Sequence, residues 1–301
     1  MNGLAGRAAI VTGSSRGIGR AIAIAMAAEG AAVAVTARTE RVWDERLPGT
    51  IDETVAEIEA AGGRAIAIRA DLSDEADRVR LVAEARAALG PITILVNNAA
   101  FTVPGTPSRP RPAQAAPSAS AAPAGKPSWP SVATTPLRAY RRHFEMLFAA
   151  YELMQFVMPD MQQAGGGHII NITSGASRMP GEGPYPPRAP KTLSGYGGSK
   201  AALEHLTLTA AYEAVDPPIA VNALAPSTAI PTPGSNYYSR EWGEYDSDAN
   251  FAEAVVRLAQ VDPQQVNGRI LGHRDVLDGS FRSYVFGLLD SFHNSNAPVS
   301  G

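Results

Sequence analysis

The 301-residue sequence predicts an α/β fold, a doubly wound parallel sheet of about seven strands in one domain. Three observations predict it. Short apolar runs alternate with amphipathic or Ala-rich stretches along most of the chain. These runs are continuously hydrophobic, which marks strands covered by helices on both faces. A glycine-rich turn joins the first run directly to the first helical stretch, and right-handed crossovers then wind the sheet on both sides.

In order, AAIVT (8–12) is a buried strand, 20–29 a helix and AAVAVTA (31–37) a second strand. IDETVAEIEAAGG (51–63) is a helix with Ile51, Thr54, Val55 and Ile58 on one face and Gly62 at its end. AIAIRAD (65–71) is a strand. SDEADRVRLVAEARAALG (73–90) is a helix opening on a Ser cap and an acidic first turn, and ITILVNN (92–98) is a strand. From 101 to about 136 the chain is rich in Pro, Ala and Ser. Its prolines remove hydrogen-bond donors and it offers little to bury, so it is either a disordered excursion or an active-site lid. The rhythm resumes with a helix at 137–163, the strand HIINIT (168–173), a helix at 196–214, the strand IAVNAL (219–224), a helix at 248–260 and the short strand GRILG (268–272). The expected division is a domain over 1–274 carrying the 101–136 insertion, then a weakly patterned tail over 275–301.

Composition narrows the function. A net charge of −3 announces no basic face, so neither nucleic acid nor an anionic membrane is an expected partner. There is no Cys, which excludes disulfides and thiolate chemistry. The opening MNGLAGRAAIVTG lacks the pattern of a secretory signal, and a cytoplasmic protein is expected. The five histidines (143, 168, 205, 273 and 293) have no metal-ligand spacing, and no metal site is expected.

In IVTGSSRGIGRAIA, Gly13, Gly17 and Gly19 stand where the chain turns sharply, lets a ligand approach the backbone and packs the helix on the sheet. With Ser15, Arg16 and Ile18 between them, they form a phosphate cradle at a helix N-terminus. The end of the second strand, where an acid would bind a ribose 2′-OH, carries Arg38 instead. Arg38 and Arg16 suit a 2′-phosphate and hence NADP(H); otherwise Arg38 is a solvated loop residue. Asp71 and Leu72, ending the third strand, fall beside the adenine, although Asp71 would also serve as a helix cap.

Tyr196 and Lys200 are four apart at a helix start, which puts both on one face. A phenol near its usual pKa of ~10 is too weak a base at neutral pH, and a nearby ammonium would lower it. Ser174 lies just past the fifth strand, at the carboxyl end where open sheets bind ligands, and its hydroxyl can reach a substrate carbonyl.

Taken together, TGSSRGIG, DL at 71–72, NNAA at 97–100, NITS at 171–174, YGGSK at 196–200 and VNALAPS at 221–227 resemble the ordered motifs of the short-chain dehydrogenases/reductases, standard subfamily. The resemblance runs from about residue 4 to 272, the insertion apart. It implies a Rossmann-type domain with Tyr196 as general acid/base, Ser174 polarising the carbonyl, and Lys200 holding the nicotinamide ribose and tuning Tyr196. It also implies that Asn97 lines the adenine-side pocket and that 226–232 borders the nicotinamide, so Ala99, Pro226, Ile230 and Thr232 join the cofactor-binding set. A homodimer or homotetramer is implied as well.

Several positions depart from the family pattern. Members carry a fourth residue, an Asn in the long helix before the fifth strand, where it holds a water that relays protons to the Lys. Met146 stands at that place, and no Asn occurs between Asn98 and Asn171. A thioether cannot replace the amide's hydrogen bonds. The 22-residue spacing from Ser174 to Tyr196 is long, and Tyr185 within it has no Lys four residues later. Ser227 and Ala100 each replace a common Gly, and WDERLPGT (43–50) is a further insertion after the second strand.

The sequence therefore predicts an NADP(H)-dependent oxidoreductase moving a hydride between nicotinamide and a carbonyl or alcohol. The loops at 101–136, 175–195 and 228–247, with Tyr237, Tyr238 and Trp242, suggest an apolar small-molecule substrate. The alternative, prompted by Met146, is a catalytically weak or inactive NADP(H)-binding protein acting as a scaffold or sensor.

Overall fold

Alternate residues of each interior strand face opposite sides of the sheet, so a strand covered twice must be apolar throughout. A computed structural model shows this arrangement and describes residues 3–42, 44–101, 132, 135–181, 184, 194–238 and 244–283. Nearly all of the Pro/Ala-rich insertion, Tyr185, Trp242, His293 and the chain after 283 lie outside the described residues, as do the side chains of Tyr237 and Tyr238.

The seven strands are β1 (Ala8–Thr12), β2 (Ala32–Ala37), β3 (Arg64–Arg69), β4 (Ile92–Asn97), β5 (Gly167–Ile172), β6 (Ile219–Ala225) and β7 (Ile270–Gly272). They form one parallel sheet in the order β3-β2-β1-β4-β5-β6-β7. The direction of winding reverses between β1 and β4. That switch point opens a crevice at the carboxyl ends of the strands, the usual ligand position in such sheets.

Helices α1 (Gly17–Ala28), α2 (Ile51–Ala60) and α7 (Asp248–Gln260) cover one face, where Val11, Val33, Ile94 and Ile170 meet Ile22, Ile58 and Phe251. Helices α3 (Glu75–Leu89), α4 (Leu137–Gln163) and α5 (Ser194–Glu213) cover the other, where Ile10, Leu95, Ile169 and Val221 meet Leu81, Leu153 and Val157. Successive strand residues thus divide between the two cores.

Differences from the expected elements lie at ends and in short pieces. Asp74, not Ser73, caps α3 by accepting from Ala76 N at 2.9 Å. Ser73 turns back instead, donating its N–H and its hydroxyl to Asp71. On α2 Val55 is only half-buried, and Ile51, Thr54 and Ile58 make the inner face. Helices α6 (Pro233–Tyr238) and α8 (His273–Leu277) are too short to leave a period in the sequence. The boundary expected at 274 falls inside α8, whose Val276 is fully buried.

Candidate active site

A cleft of about 370 Å³ runs along the switch point, from the glycine turn to Tyr196. Two of its glycines are required by conformation. Gly13 and Gly17 have φ of +69° and +54°, in the left-handed region. Gly19 is required by space, since a Cβ there would stand 2.4 Å from the Gly13 carbonyl oxygen. Ser15, Arg16 and Ile18 complete this wall. Asn98, which sequence reasoning passed over, locks it: its amide donates to the carbonyls of Thr12 (2.8 Å) and Gly13 (3.3 Å). Thr12 Oγ1 returns the tie by accepting from Asn98 N and Ala99 N.

At one end of the cleft stand the two arginines. Arg16 donates to the carbonyls of Leu47 and Gly49 and to Thr39 Oγ1, so the 43–50 insertion clasps it from the side. Burial lowers its pKa, and Arg38 lowers it further. The two guanidiniums line the same cleft, and the charges of Asp44 and Glu53 partly offset the effect of Arg38 on Arg16. Arg38 lies 3.7 Å from the Asp71 carboxylate and 5.2 Å over the Phe101 ring. This wall thus carries a carboxylate, supplied by β3 rather than by β2. Burial raises the Asp71 pKa, but its bonds from Ser73 and the charge of Arg38 prevail and hold it below the usual range. Leu72 and Ala99 line the cleft beside it.

At the other end, Ser174, Tyr196 and Lys200 meet, with Pro226 and Thr232 opposite. Gly197 lets α5 come this close, since a Cβ there would stand 2.4 Å from the Ala176 carbonyl oxygen. The Ser174 hydroxyl faces the Tyr196 phenol and favours its ionised form. Lys200 Nζ donates to the Ile172 carbonyl at 2.7 Å and stands 5.6 Å from the Tyr196 ring centre. Buried Glu204, one turn along α5, accepts from both Thr173 Oγ1 and Ser177 Oγ at 2.8 Å, fastening the chain on either side of Ser174.

The electrostatics correct the sequence expectation. Burial raises the pKa of the Tyr196 phenol, with only the Ser174 hydroxyl opposing it. The ammonium gives one of its three N–H groups to the Ile172 carbonyl, and burial lowers its own pKa to about 8, against a smaller upward pull from Glu204. A phenol so placed is a proton donor at neutral pH.

Two residues of the expected cofactor set face elsewhere. Asn97 is buried and donates to Asn171 Oδ1 at 2.9 Å; it faces a small cavity behind the cleft, because the last residue of β4 points between the strands and α5. The Ile230 side chain belongs to the core beneath α1 and α7. Met146 lines both the cleft and the small cavity. The 226–232 segment is held by His273, whose Nδ1 accepts from Ser227 N at 2.9 Å while Nε2 meets Asp246. Among the described residues no cluster of three or more His, Cys, Asp or Glu could hold a metal, and no helix is long and apolar enough to cross a membrane.

Comparison with known proteins agrees with this geometry. A family model described as short chain dehydrogenase matches residues 7–117 and 124–241. The 7alpha-hydroxysteroid dehydrogenase of Escherichia coli (strain K12) is 31% identical over 228 residues, 75% of this chain and 72% of that protein. An NADPH-dependent aldehyde reductase-like protein, chloroplastic, of Arabidopsis thaliana is 31% identical over 74% of this chain and 72% of its own length. Among solved structures, a 7 alpha-hydroxysteroid dehydrogenase complexed with NADH and 7-oxo glycochenodeoxycholic acid superposes with a TM-score of 0.67 at 30% identity, covering 89% of this chain and 93% of that one. A short chain dehydrogenase homolog from Mycobacterium thermoresistibile gives a TM-score of 0.72 at 26% identity, with 92% and 88% covered.

Proposed function

The chain belongs to the short-chain dehydrogenase/reductase family, and from that premise we propose that it is an NADP(H)-dependent oxidoreductase reducing an apolar small-molecule ketone or aldehyde. One observation carries the reading: a single cleft joins the glycine turn and the Arg16/Arg38 pair to Ser174, Tyr196 and Lys200. The residues fit a dinucleotide, because the glycine turn leads directly into the N-terminus of α1, where backbone N–H groups favour a phosphate, and Arg16 and Arg38 line the same cleft. Gly13, Ser15, Arg16, Gly17, Ile18 and Gly19 would hold the phosphates, with Arg38 at the 2′-phosphate. Asp71, Leu72 and Ala99 would flank the adenine side, and Lys200, Pro226 and Thr232 the nicotinamide side. When bound, NADPH supplies the hydride.

The chain's own residues do the rest. Ser174 hydrogen-bonds the substrate carbonyl oxygen and polarises it. Tyr196, held protonated by burial, donates its phenolic proton to that oxygen as negative charge develops there. The Lys200 ammonium stabilises the phenolate left behind. In the reverse direction the same phenolate takes the proton from an alcohol. With its pKa raised, the phenol is at neutral pH in the protonated form that reduction uses. A cytoplasmic, oligomeric enzyme completes the reading; exposed Phe148 and Tyr151 on α4 and Tyr212 on α5 offer apolar surface for a homodimer or homotetramer.

Titration with NADPH and NADH, followed by nicotinamide fluorescence and a carbonyl-substrate screen, tests this. Expected are tighter NADPH binding and a Tyr196→Phe variant that binds it normally but reduces at least ~10²-fold more slowly. NADH preference would overturn the specificity. Full turnover by Tyr196→Phe would overturn the role of the phenol. NADPH binding without turnover of any carbonyl would favour the sensor or scaffold reading that Met146 prompts.

A further inference from the structure

One turn before Met146 on α4, His143 is 7% exposed and lies against the Tyr196 ring, edge to face, with centroids 6.1 Å apart. The Phe101 carbonyl faces its imidazole and opposes the effect of burial on its pKa. Its Nδ1 is buried and has no hydrogen-bond partner among the described residues. A proton on Nδ1 would be buried with no acceptor, so the neutral ring carries its hydrogen on Nε2 and keeps a lone pair on Nδ1. Behind Tyr196 lies a cavity of about 20 Å³ lined by His143, Tyr196, Lys200, Asn97, Ser199 and Met146. That is room for one water and no more, and a buried water needs two to four polar partners.

We propose that His143 is a positioning residue for Tyr196 and Lys200: its Nδ1 anchors a single water in this cavity, and that water fixes the Lys200 ammonium. The inference rests on the oxidoreductase reading. Lys200 donates one N–H to Ile172 and keeps others to give. The water accepts from the ammonium and donates one O–H to Nδ1. Its second O–H has acceptors on the same wall. The Asn97 carbonyl oxygen is one, since the amide nitrogen is the end turned to Asn171, and Ser199 Oγ is another, since its own proton goes to the Tyr196 carbonyl. The polar partner that Met146 cannot be is thus supplied one helical turn earlier, from the same helix face. Burial lowers the His143 pKa; the Phe101 carbonyl opposes this and Lys200 adds to it, so the imidazole is neutral at pH 7 and its lone pair is free. An unpartnered acceptor buried this deeply is otherwise rare in a folded protein.

The test compares the full chain with His143→Asn, His143→Gln and His143→Leu. Asn carries a side-chain oxygen near the place of Nδ1, Gln carries its polar end near the place of Nε2, and Leu keeps the packing alone. NADPH affinity is expected to fall by no more than a few-fold, since the glycine turn, Arg16 and Arg38 are untouched and only the Lys200 end of the cofactor site is disturbed. The kcat for carbonyl reduction should fall about ten-fold or more in the Leu and Gln variants and stay within about three-fold in the Asn variant, because small misplacements of a catalytic group are costly. A Leu variant as fast as the parent, or an Asn variant as slow as Leu, overturns the proposal. Nitrogen-15 NMR of the histidine-labelled parent gives a reading independent of turnover and of how the variants fold. Nδ1 should be the unprotonated nitrogen of His143 at pH 7, and a proton on Nδ1 overturns this inference alone. A parent chain that transfers no hydride to any carbonyl overturns the functional reading with it.

Discussion

At the scale of the residue, Tyr196 and Lys200 have been moved in opposite directions by the same cause. Burial disfavours whichever form is charged, so it raises the phenol and lowers the ammonium. The pair therefore carries its proton on the phenol easily and on the amine with difficulty. Lys200, with a pKa of about 8, is the group that loses its proton first as pH rises. On the proposed roles the ammonium is needed to stabilise the departing phenolate, so the pH dependence has a definite sign. Reductase kcat/KM should be flat below about pH 8 and fall above it, with Tyr196 still protonated through that range. Glu204 pulls Lys200 upward, so Glu204→Gln should move the break to lower pH. A pH–rate profile of parent and variant checks both. A break that stays put in the variant would show that Glu204 acts only by tethering Thr173 and Ser177.

At the scale of the element, the 43–50 insertion is the feature whose use the structure makes plain. Thr50 and Glu53 form a capping box that starts α2, which fixes the loop's far end. Gly49 has φ of +105°, and a Cβ there would stand 2.4 Å from the Ser15 carbonyl oxygen. The loop thus lies directly on the glycine turn and presents its carbonyls to Arg16. Gly49→Ala should lift it away, at a strain of ~1–3 kcal/mol, and release Arg16. NADPH affinity should then drop about ten-fold while the NADPH-to-NADH ratio narrows, read by nicotinamide fluorescence. Unchanged affinity would show that the clasp does not orient Arg16. The sequence revealed that the insertion neighbours the specificity end, but not that it grips Arg16, because main-chain carbonyls carry no residue-type signal. The same limit explains Asn98, Glu204 and His143, whose importance comes from partners 27 to 86 residues away or from an adjoining helix. Strands and long helices were legible because a doubly covered sheet demands continuous apolar runs and α4 and α7 keep a clear helical period. Asn97 and Ile230 were misplaced because motif order fixes a backbone position and leaves the direction of a side chain open.

At the scale of the whole molecule, the amino ends of the strands, opposite the cleft, are tied by one half-buried cation. Arg7, at the foot of β1, donates to the carbonyls of Ala259 (2.6 Å) on α7 and Thr93 (2.8 Å) on β4, and to His168 Nδ1 (2.9 Å) on β5. His168 Nε2 meets the Val261 carbonyl at 2.9 Å. Because a guanidinium only donates and a carbonyl only accepts, this histidine must be neutral, with its hydrogen on Nε2. A second proton would face the guanidinium across a buried contact. Burial accordingly lowers its pKa to about 4, with Arg7 adding to the shift and Val261 opposing it. The sign follows. Between pH 4 and 6.5 the unfolded chain binds the proton that the folded chain refuses, so stability is full above 6.5 and drains as pH falls towards 4. Over that span the loss amounts to about 3 kcal/mol, as an order of magnitude. His143 shifts in the same direction, so the two must be separated. His168→Asn keeps an acceptor for Arg7 and removes the titration. Urea unfolding midpoints between pH 4.5 and 6.5 should therefore rise steeply with pH in the parent and much less in this variant. If the two slopes coincide, the lock at the foot of the sheet is not what makes the fold acid-sensitive, and the remaining dependence belongs to His143 beside the cleft.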